Sequence, residues 1–338
     1  MTDALADVAR RAWQGRVRLV GGLVIAGVAV GLLFQLVVTH KQPFFAALEK
    51  AAGAPLWLTA MALLLPAMNW LLVAWSFQIL NARHGKVGAG EMTALVGASW
   101  LLNYLPLRPG MFGRVAYHRR YNGIGVRDSV RILIVLSVLT GVSLVLLLGA
   151  AAMGGLAGER GAMLAVFGLG AVLCVVTPFG RGPMEGDFAK VLALRYLDAL
   201  AWVGRYAVVF ALVDRPLSVF DAVAMAFVSQ VVLLLPVVGI GFGVRVGASA
   251  RVAGRLPGWA AAAAVAVAVA VAAAADLINR GVEVAVAVPV GAISMAYLAR
   301  HVARRRASER AEASVVDGAR SAADSGAGSV AEGAAGPA

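Results

Sequence analysis

The chain has 338 residues, 61% of them hydrophobic and only 14% charged, with a mean hydropathy of +0.83. Soluble domains carry roughly 25% charged residues, so this composition excludes a soluble globular protein and points to helices inside a bilayer. A membrane β-barrel would need alternating segments of ~10 residues, and none is present.

The net charge of +12 reads as basic loops that set topology and meet anionic headgroups, not as a nucleic-acid footprint. The one cysteine, Cys174, offers no disulfide partner and reads as a small buried apolar residue. The histidines are scattered without metal-ligand spacing, and no catalytic triad or metalloprotease motif appears. No metal, cofactor or enzymatic activity is therefore expected.

In chain order, the first apolar run, Val17–Val38, follows an arginine-rich start. It is too long for a signal peptide's core and no small-x-small cleavage site follows, so it reads as a retained span behind a cytoplasmic N-terminus, residues 1–16. Further spans are expected at Leu56–Leu80, Asp128–Met153, Met163–Pro178, Ala189–Val213, Gly258–Ala275 and Val282–Ala299. The last two are separated only by Asp276–Gly281 and are alternatively one kinked element. Glu91–Leu105 and Phe220–Leu235 are apolar but short, and each stops at a proline, Pro106 and Pro236. From about Arg304 the chain turns rich in Ala, Gly, Ser and charge, so residues 301–338 are expected to form a disordered, solvated tail.

The two short segments are related. At an offset of 130 residues, Ala94, Ser99, Leu105, Pro106, Phe112 and Gly113 meet Ala224, Ser229, Leu235, Pro236, Phe242 and Gly243, and Glu91 meets Asp221. An odd number of spans between the motif regions 91–120 and 221–251 makes them an inverted pair, if each enters and leaves on one side. Short Pro/Gly-interrupted segments in matching halves point to a transport site near the midplane. The expected fold is thus an all-α membrane helix bundle of about seven or eight spans, with two re-entrant half-helix motifs in an inverted repeat. Arginines around the first motif put it on the cytoplasmic side. Arg304–Arg306 want the same side, which seven full spans would deny them, so one expected break, in 258–299 or at a half-helix, is not a true loop.

The first motif carries chemistry. Pro106 ends one helix, Pro109 suits the first position of the next, and Gly110 and Gly113 allow close backbone approach. The second helix opens with unpaired N–H groups, and Arg108 and Arg114 flank that start, which suits phosphate oxygens. In the second motif Gly239, Gly241, Gly243 and Arg245 repeat the pattern. The span 189–213 carries Arg195, Asp198 and Arg205 on one stripe. Asp198 can pair with Arg195 one turn away, leaving Arg205 for a ligand, while Arg280 can pair with Asp276 or Glu283. Asn69, Trp70 and Gln78 read as packing and interfacial residues.

These breaks carry a resemblance. Asn103 to Arg114 and Leu235 to Arg245 resemble the two signatures of the lysylphosphatidylglycerol synthase transmembrane-region family of flippase-like proteins, and Arg280 to Gly291 is similar to its closing segment. The resemblance implies a helical bundle with re-entrant segments that moves a lipid between leaflets of a bacterial or archaeal plasma membrane. It places headgroup contacts on Arg108, Gly110, Arg114, Gly241, Gly243 and Arg245, beside Gly113 from the motif's own chemistry. No aminoacyltransferase domain accompanies these motifs, so synthase activity is not implied. Met111, Phe112 and Val246 stand where many members carry acidic residues, which favours an anionic or neutral lipid over a lysyl lipid. Partners are then membrane lipids, with a homodimer and an envelope-biosynthesis enzyme as further candidates. Two other functions fit the same residues: a permease or exporter for a water-soluble anion, and a membrane scaffold for an envelope-biosynthesis enzyme.

Overall fold

The computed structural model describes residues 41–85, 87–105, 109–177, 183–234 and 262–332. All regular structure among them is helical: α1 (Lys41–Ala52), α2 (Leu56–Asn81), α3 (Ala89–Leu102), α4 (Pro109–Tyr121), α5 (Val126–Gly155), α6 (Glu159–Val176), α7 (Pro183–Leu212), α8 (Val219–Leu234) and α9 (Ala262–Glu332). Four stretches are long and apolar enough to cross a membrane: α2, α5, α6 and Val271–Ser308 within α9. This is the architecture of a membrane-embedded all-α protein. The expected span Val17–Val38 and residues 235–251 of the second motif lie outside the described residues.

Local sequence explains the boundaries. Pro55 precedes α2, and Pro109 opens α4 at the position where a missing N–H costs nothing. Asp128 sits in the first turn of α5, and His118, Arg119 and Arg120 lie in the last turn of α4, both complementing the helix dipole. The tight α5–α6 turn passes through Gly158 at φ +87°, a backbone conformation that side chains disfavour. Within α5, Ser137, Thr140 and Ser143 return their hydroxyls to carbonyls one turn back, which lets polar residues sit in an apolar helix.

The central helix is α7, which packs on α2, α5, α6, α8 and α9. Tyr196, Trp202, Tyr206 and Phe210 anchor its apolar core against Leu144 and Leu147 of α5, Val223 of α8 and Ala272 of α9. Helices α2 and α7 lie antiparallel. At one end Leu58 and Leu212 share an apolar cluster; at the other, Arg83 just past α2 meets Asp187 at 2.6 Å. The first of these ends also gathers Lys50 and Asp214 at 2.8 Å, and Glu159, which accepts the Val219 N–H at 2.6 Å.

Helices α3 and α4 form an antiparallel hairpin of 14 and 13 residues, each about 20 Å long against an apolar bilayer core of ~30 Å. Tyr117 near the end of α4 donates to Glu91 near the start of α3 at 2.9 Å, so the two ends of the hairpin meet. Its turn is close-packed: a Cβ on Gly110 would run into the Ser99 carbonyl. A small-residue seam then seats α3 on α9, with Gly97 against Ser294 and Val290, and Gly291 against Leu101.

Several expectations are corrected. The runs 258–275 and 282–299 are not two spans, because α9 is continuous through Asp276–Gly281. Within those six residues Asp276 and Asn279 meet Tyr206 and Arg205 of α7. With that break removed, Arg305 reaches the hairpin base, bonding Tyr121 O at 2.8 Å, so the arginine-rich segment and the first motif share one end. The helix runs on to Glu332; alanine is the strongest helix former and recurs throughout it. Cys174 is exposed, not buried: it lines an open groove with Trp75 of α2 and Leu194 of α7.

Candidate functional site

Two polar clusters are built into this apolar bundle. The larger runs along the inner faces of α7 and α9. Arg195 and Asp198, one turn apart on α7, pair at 2.6 Å with side chains 7% and 3% exposed. Arg195 Nε also donates to Thr140 Oγ1 of α5 at 2.9 Å. Asn69 Nδ2 of α2 donates to the Asp198 carboxylate at 2.7 Å and to its backbone carbonyl at 3.0 Å. A charge at membrane depth costs about 2.5–3.5 kcal/mol on insertion scales, which is why each is paired and faces protein.

Two turns further along α7, Arg205 meets α9. It donates to Asn279 Oδ1 at 3.1 and 2.9 Å and to Glu283 Oε2 at 2.6 Å, and its guanidinium lies 3.8 Å above the Trp202 ring. Arg280 approaches the same Glu283 oxygen at 3.3 Å. Tyr104, in the α3–α4 turn, lies near Glu283. Next to this, Tyr206 Oη donates to Asp276 Oδ1 at 3.1 Å and shares a hydrogen bond with Ser229 Oγ of α8. On α9, Asp276, Asn279, Arg280 and Glu283 fall on one face at helical spacing.

The second cluster closes the base of the hairpin. Glu91 is buried, accepts from Tyr117, and takes Arg305 NH2 of α9 at 3.3 Å, with His301 Nε2 at 3.6 Å. Burial, then the hydrogen bond to Glu91, raise the Tyr117 hydroxyl well above its ordinary value, so it stays a donor. Beside it, burial and the neighbouring Arg114 cation push His118 down to about 4, against a smaller opposing pull from Glu91. Burial alone lowers Arg114 to about 10, which leaves it protonated at neutral pH.

The expected phosphate set is not assembled in the described residues. Arg114 stacks on Phe77 of α2 at 3.8 Å. Gly110 is a packing position, whereas Gly113 has nothing near it. One of the first amides of α4 is already used: Met111 N–H donates to Asn103 Oδ1 at 3.2 Å. Arg108, Gly241, Gly243 and Arg245 lie outside the described residues. Of the expected charged residues, Arg195 pairs with Asp198, while Arg205 and Arg280 both meet Glu283; Arg205 is not left over for a ligand, because Asn279 and Glu283 hold it.

Sequence reasoning missed Asn69, Tyr104, Thr140 and Asn279. The i, i+3, i+7 polar spacing from Asp276 to Glu283 was the available signal for α9. Nothing in the sequence marks Asn69 as a partner of Asp198. Among the described residues no group of His, Cys, Asp and Glu is placed to hold a metal ion. No family model matches the chain, and no curated protein or solved structure shows significant similarity to it.

Proposed function

We propose that this protein transports an anionic lipid, of the phospholipid class, between membrane leaflets, through two re-entrant hairpins related as an inverted repeat. The observation that carries the reading is a repeat in the helix pairing. Helix α3 begins at Ala89 and α8 at Val219, the same 130-residue offset as the sequence motifs. Shifted by that offset, α2 falls within α7. Exchanging α2 with α7, α3 with α8 and α5 with α9 returns the same neighbours: α2–α3 becomes α7–α8, α3–α9 becomes α8–α5, and α2–α9 becomes α7–α5. The related helices α2 and α7 cross antiparallel near Asn69 and Asp198, close to equivalent positions, as an axis in the membrane plane requires.

Two features favour a lipid. The hairpin α3–α4 is too short to cross and brings Tyr104 to buried charge on α9. Large apolar side chains such as Ile134, Val138 and Phe112 face outward beside it, so a headgroup entering here keeps its acyl chains in the bilayer. The motif resemblance supports the same reading, with Arg108 and Arg245 as headgroup contacts. The first hairpin opens to the cytoplasm, as its arginine-rich flank indicates.

The test is leaflet exchange in proteoliposomes of the full chain. Fluorescent phosphatidylglycerol, phosphatidic acid, phosphatidylcholine and a glycolipid are each challenged with a membrane-impermeant quencher. Protein-dependent exchange of an anionic lipid is expected. Exchange of none of them by folded protein overturns the proposal.

A further inference from the structure

The network around Glu283 contains donors that lack acceptors. Asn279 Nδ2 and Arg280 Nε are buried, and neither has a hydrogen-bond partner. Both side chains are nonetheless fixed. Asn279 commits its oxygen to Arg205 at 2.9 and 3.1 Å, and Arg280 reaches Glu283 through NH1 at 3.3 Å. Orphaned buried donors cost about 1–3 kcal/mol each, and two on adjacent residues beside one carboxylate is an arrangement that an incoming acceptor would relieve.

We propose that Asn279, Arg280 and Tyr104 form a binding site for the phosphodiester of an anionic lipid headgroup, in which the Glu283 carboxylate occupies the phosphate position when no ligand is bound. Charge supports this. Two guanidinium groups, Arg205 and Arg280, face the Glu283 carboxylate, so a phosphate that takes its place there meets cationic donors. Asp276, the other acid on this face, is engaged by Tyr206 on the side toward α8. Chemistry supports it too, since guanidinium donors accept carboxylate and phosphate oxygens alike. A phosphate that displaces Glu283 from Arg280 supplies acceptors to Arg280 Nε and Asn279 Nδ2 together. Arg205 keeps its contacts to Asn279 and Trp202 and acts as a positioning residue.

Access comes from the hairpin. Tyr104 is 41% exposed and lies near Glu283. A ligand that replaces Glu283 at Arg280 therefore meets the α3–α4 turn. The choice of a lipid rests on the transporter reading, so binding is measured apart from transport.

The full chain in nonionic detergent is titrated calorimetrically with dioctanoyl phosphatidylglycerol and, separately, with inorganic phosphate. Arg280→Gln and Asn279→Ala are each expected to weaken lipid binding about tenfold or more. Glu283→Gln, which removes the internal competitor but keeps an acceptor for Arg205, is expected to tighten it. Wild-type affinity in both of the first two variants, or weakening by Glu283→Gln to the level of Arg280→Gln, overturns the site. Equal affinity for inorganic phosphate supports the site and overturns its assignment to a lipid. Binding without leaflet exchange supports the site while sinking the transporter reading. Should these variants fail to give monodisperse protein, photo-crosslinking of the wild type with a headgroup-reactive phosphatidylglycerol decides: adducts at Tyr104 and within 276–283 support the site, and adducts confined elsewhere overturn it.

Discussion

Arg205 of α7 and Glu283 of α9 are paired at 2.6 Å with side chains 2% and 8% exposed, and they tie together two helices far apart in sequence. Such a pair is weak evidence of stability in itself, because desolvation opposes the Coulombic gain. Removing one partner is another matter, since the survivor is left charged and buried. Arg205→Met or Glu283→Leu is expected to cost about 3–5 kcal/mol, whereas the two together cost clearly less than either alone. Thermal unfolding of the four proteins in detergent gives the cycle. A double variant as unstable as the sum of the singles would mean that the pair is not coupled.

The glycines of the first motif separate packing from ligand contact. Gly110 abuts the Ser99 carbonyl, whereas a Cβ at Gly113 meets nothing within 4 Å. Gly110→Ala must push α4 away from α3 and is expected to cost roughly 1–3 kcal/mol. Gly113→Ala, inside the same helix, is expected to be neutral or to stabilise by up to about 1 kcal/mol. Scanning fluorimetry distinguishes the two, and equal loss in both would contradict the hairpin geometry.

His118 makes the stability of the hairpin pH-dependent. Its folded value is about 4, against an ordinary value of 6.5, because burial and Arg114 oppose the cation. The unfolded chain takes up a proton near 6.5 that the folded chain refuses until about 4. Stability from this group is therefore complete above pH 6.5, declines as pH falls through that interval, and levels off below it. The loss is about 3 kcal/mol. Unfolding midpoints of wild type and His118→Gln, compared from pH 7 to pH 4, isolate it. Parallel pH profiles would show that the imidazole protonates freely in the folded state.

Much of the secondary structure was legible because prolines and apolar run lengths are local signals. Pro106 and Pro109 marked the hairpin turn, and Pro109 does open α4. The continuity of α9 was not legible by hydropathy, since Asp276–Gly281 reads as a polar loop. Only burial against α7 makes those charges tolerable within a helix, and burial is a property of the neighbour. The same holds for the site. The Arg195–Asp198 pair follows from i, i+3 spacing on one helix. The partners Asn69, Thr140 and Asn279 come from three other helices and become visible only when the bundle packs. Arg205 misled for the same reason, since its acceptors lie 74 and 78 positions downstream.

Glu91 offers the remaining prediction, because it joins three segments. Its carboxylate receives the Tyr117 hydroxyl at 2.9 Å and Arg305 at 3.3 Å, closing the hairpin base and fastening it to α9. Hydrogen bonds to a charged group are worth about 1.5–3 kcal/mol, so losing them should speed local opening roughly ten- to a hundredfold. Glu91→Ala is expected to raise amide exchange in α4 and around Tyr297–Arg305, while α2 and α7 keep their protection. Tyr117→Phe, which removes one bond and leaves Arg305 paired, should raise exchange in α4 alone. If exchange in α4 is unchanged in Glu91→Ala, the seam of Gly97 and Gly291 holds the hairpin on α9 by packing, and the carboxylate does not act as its clasp.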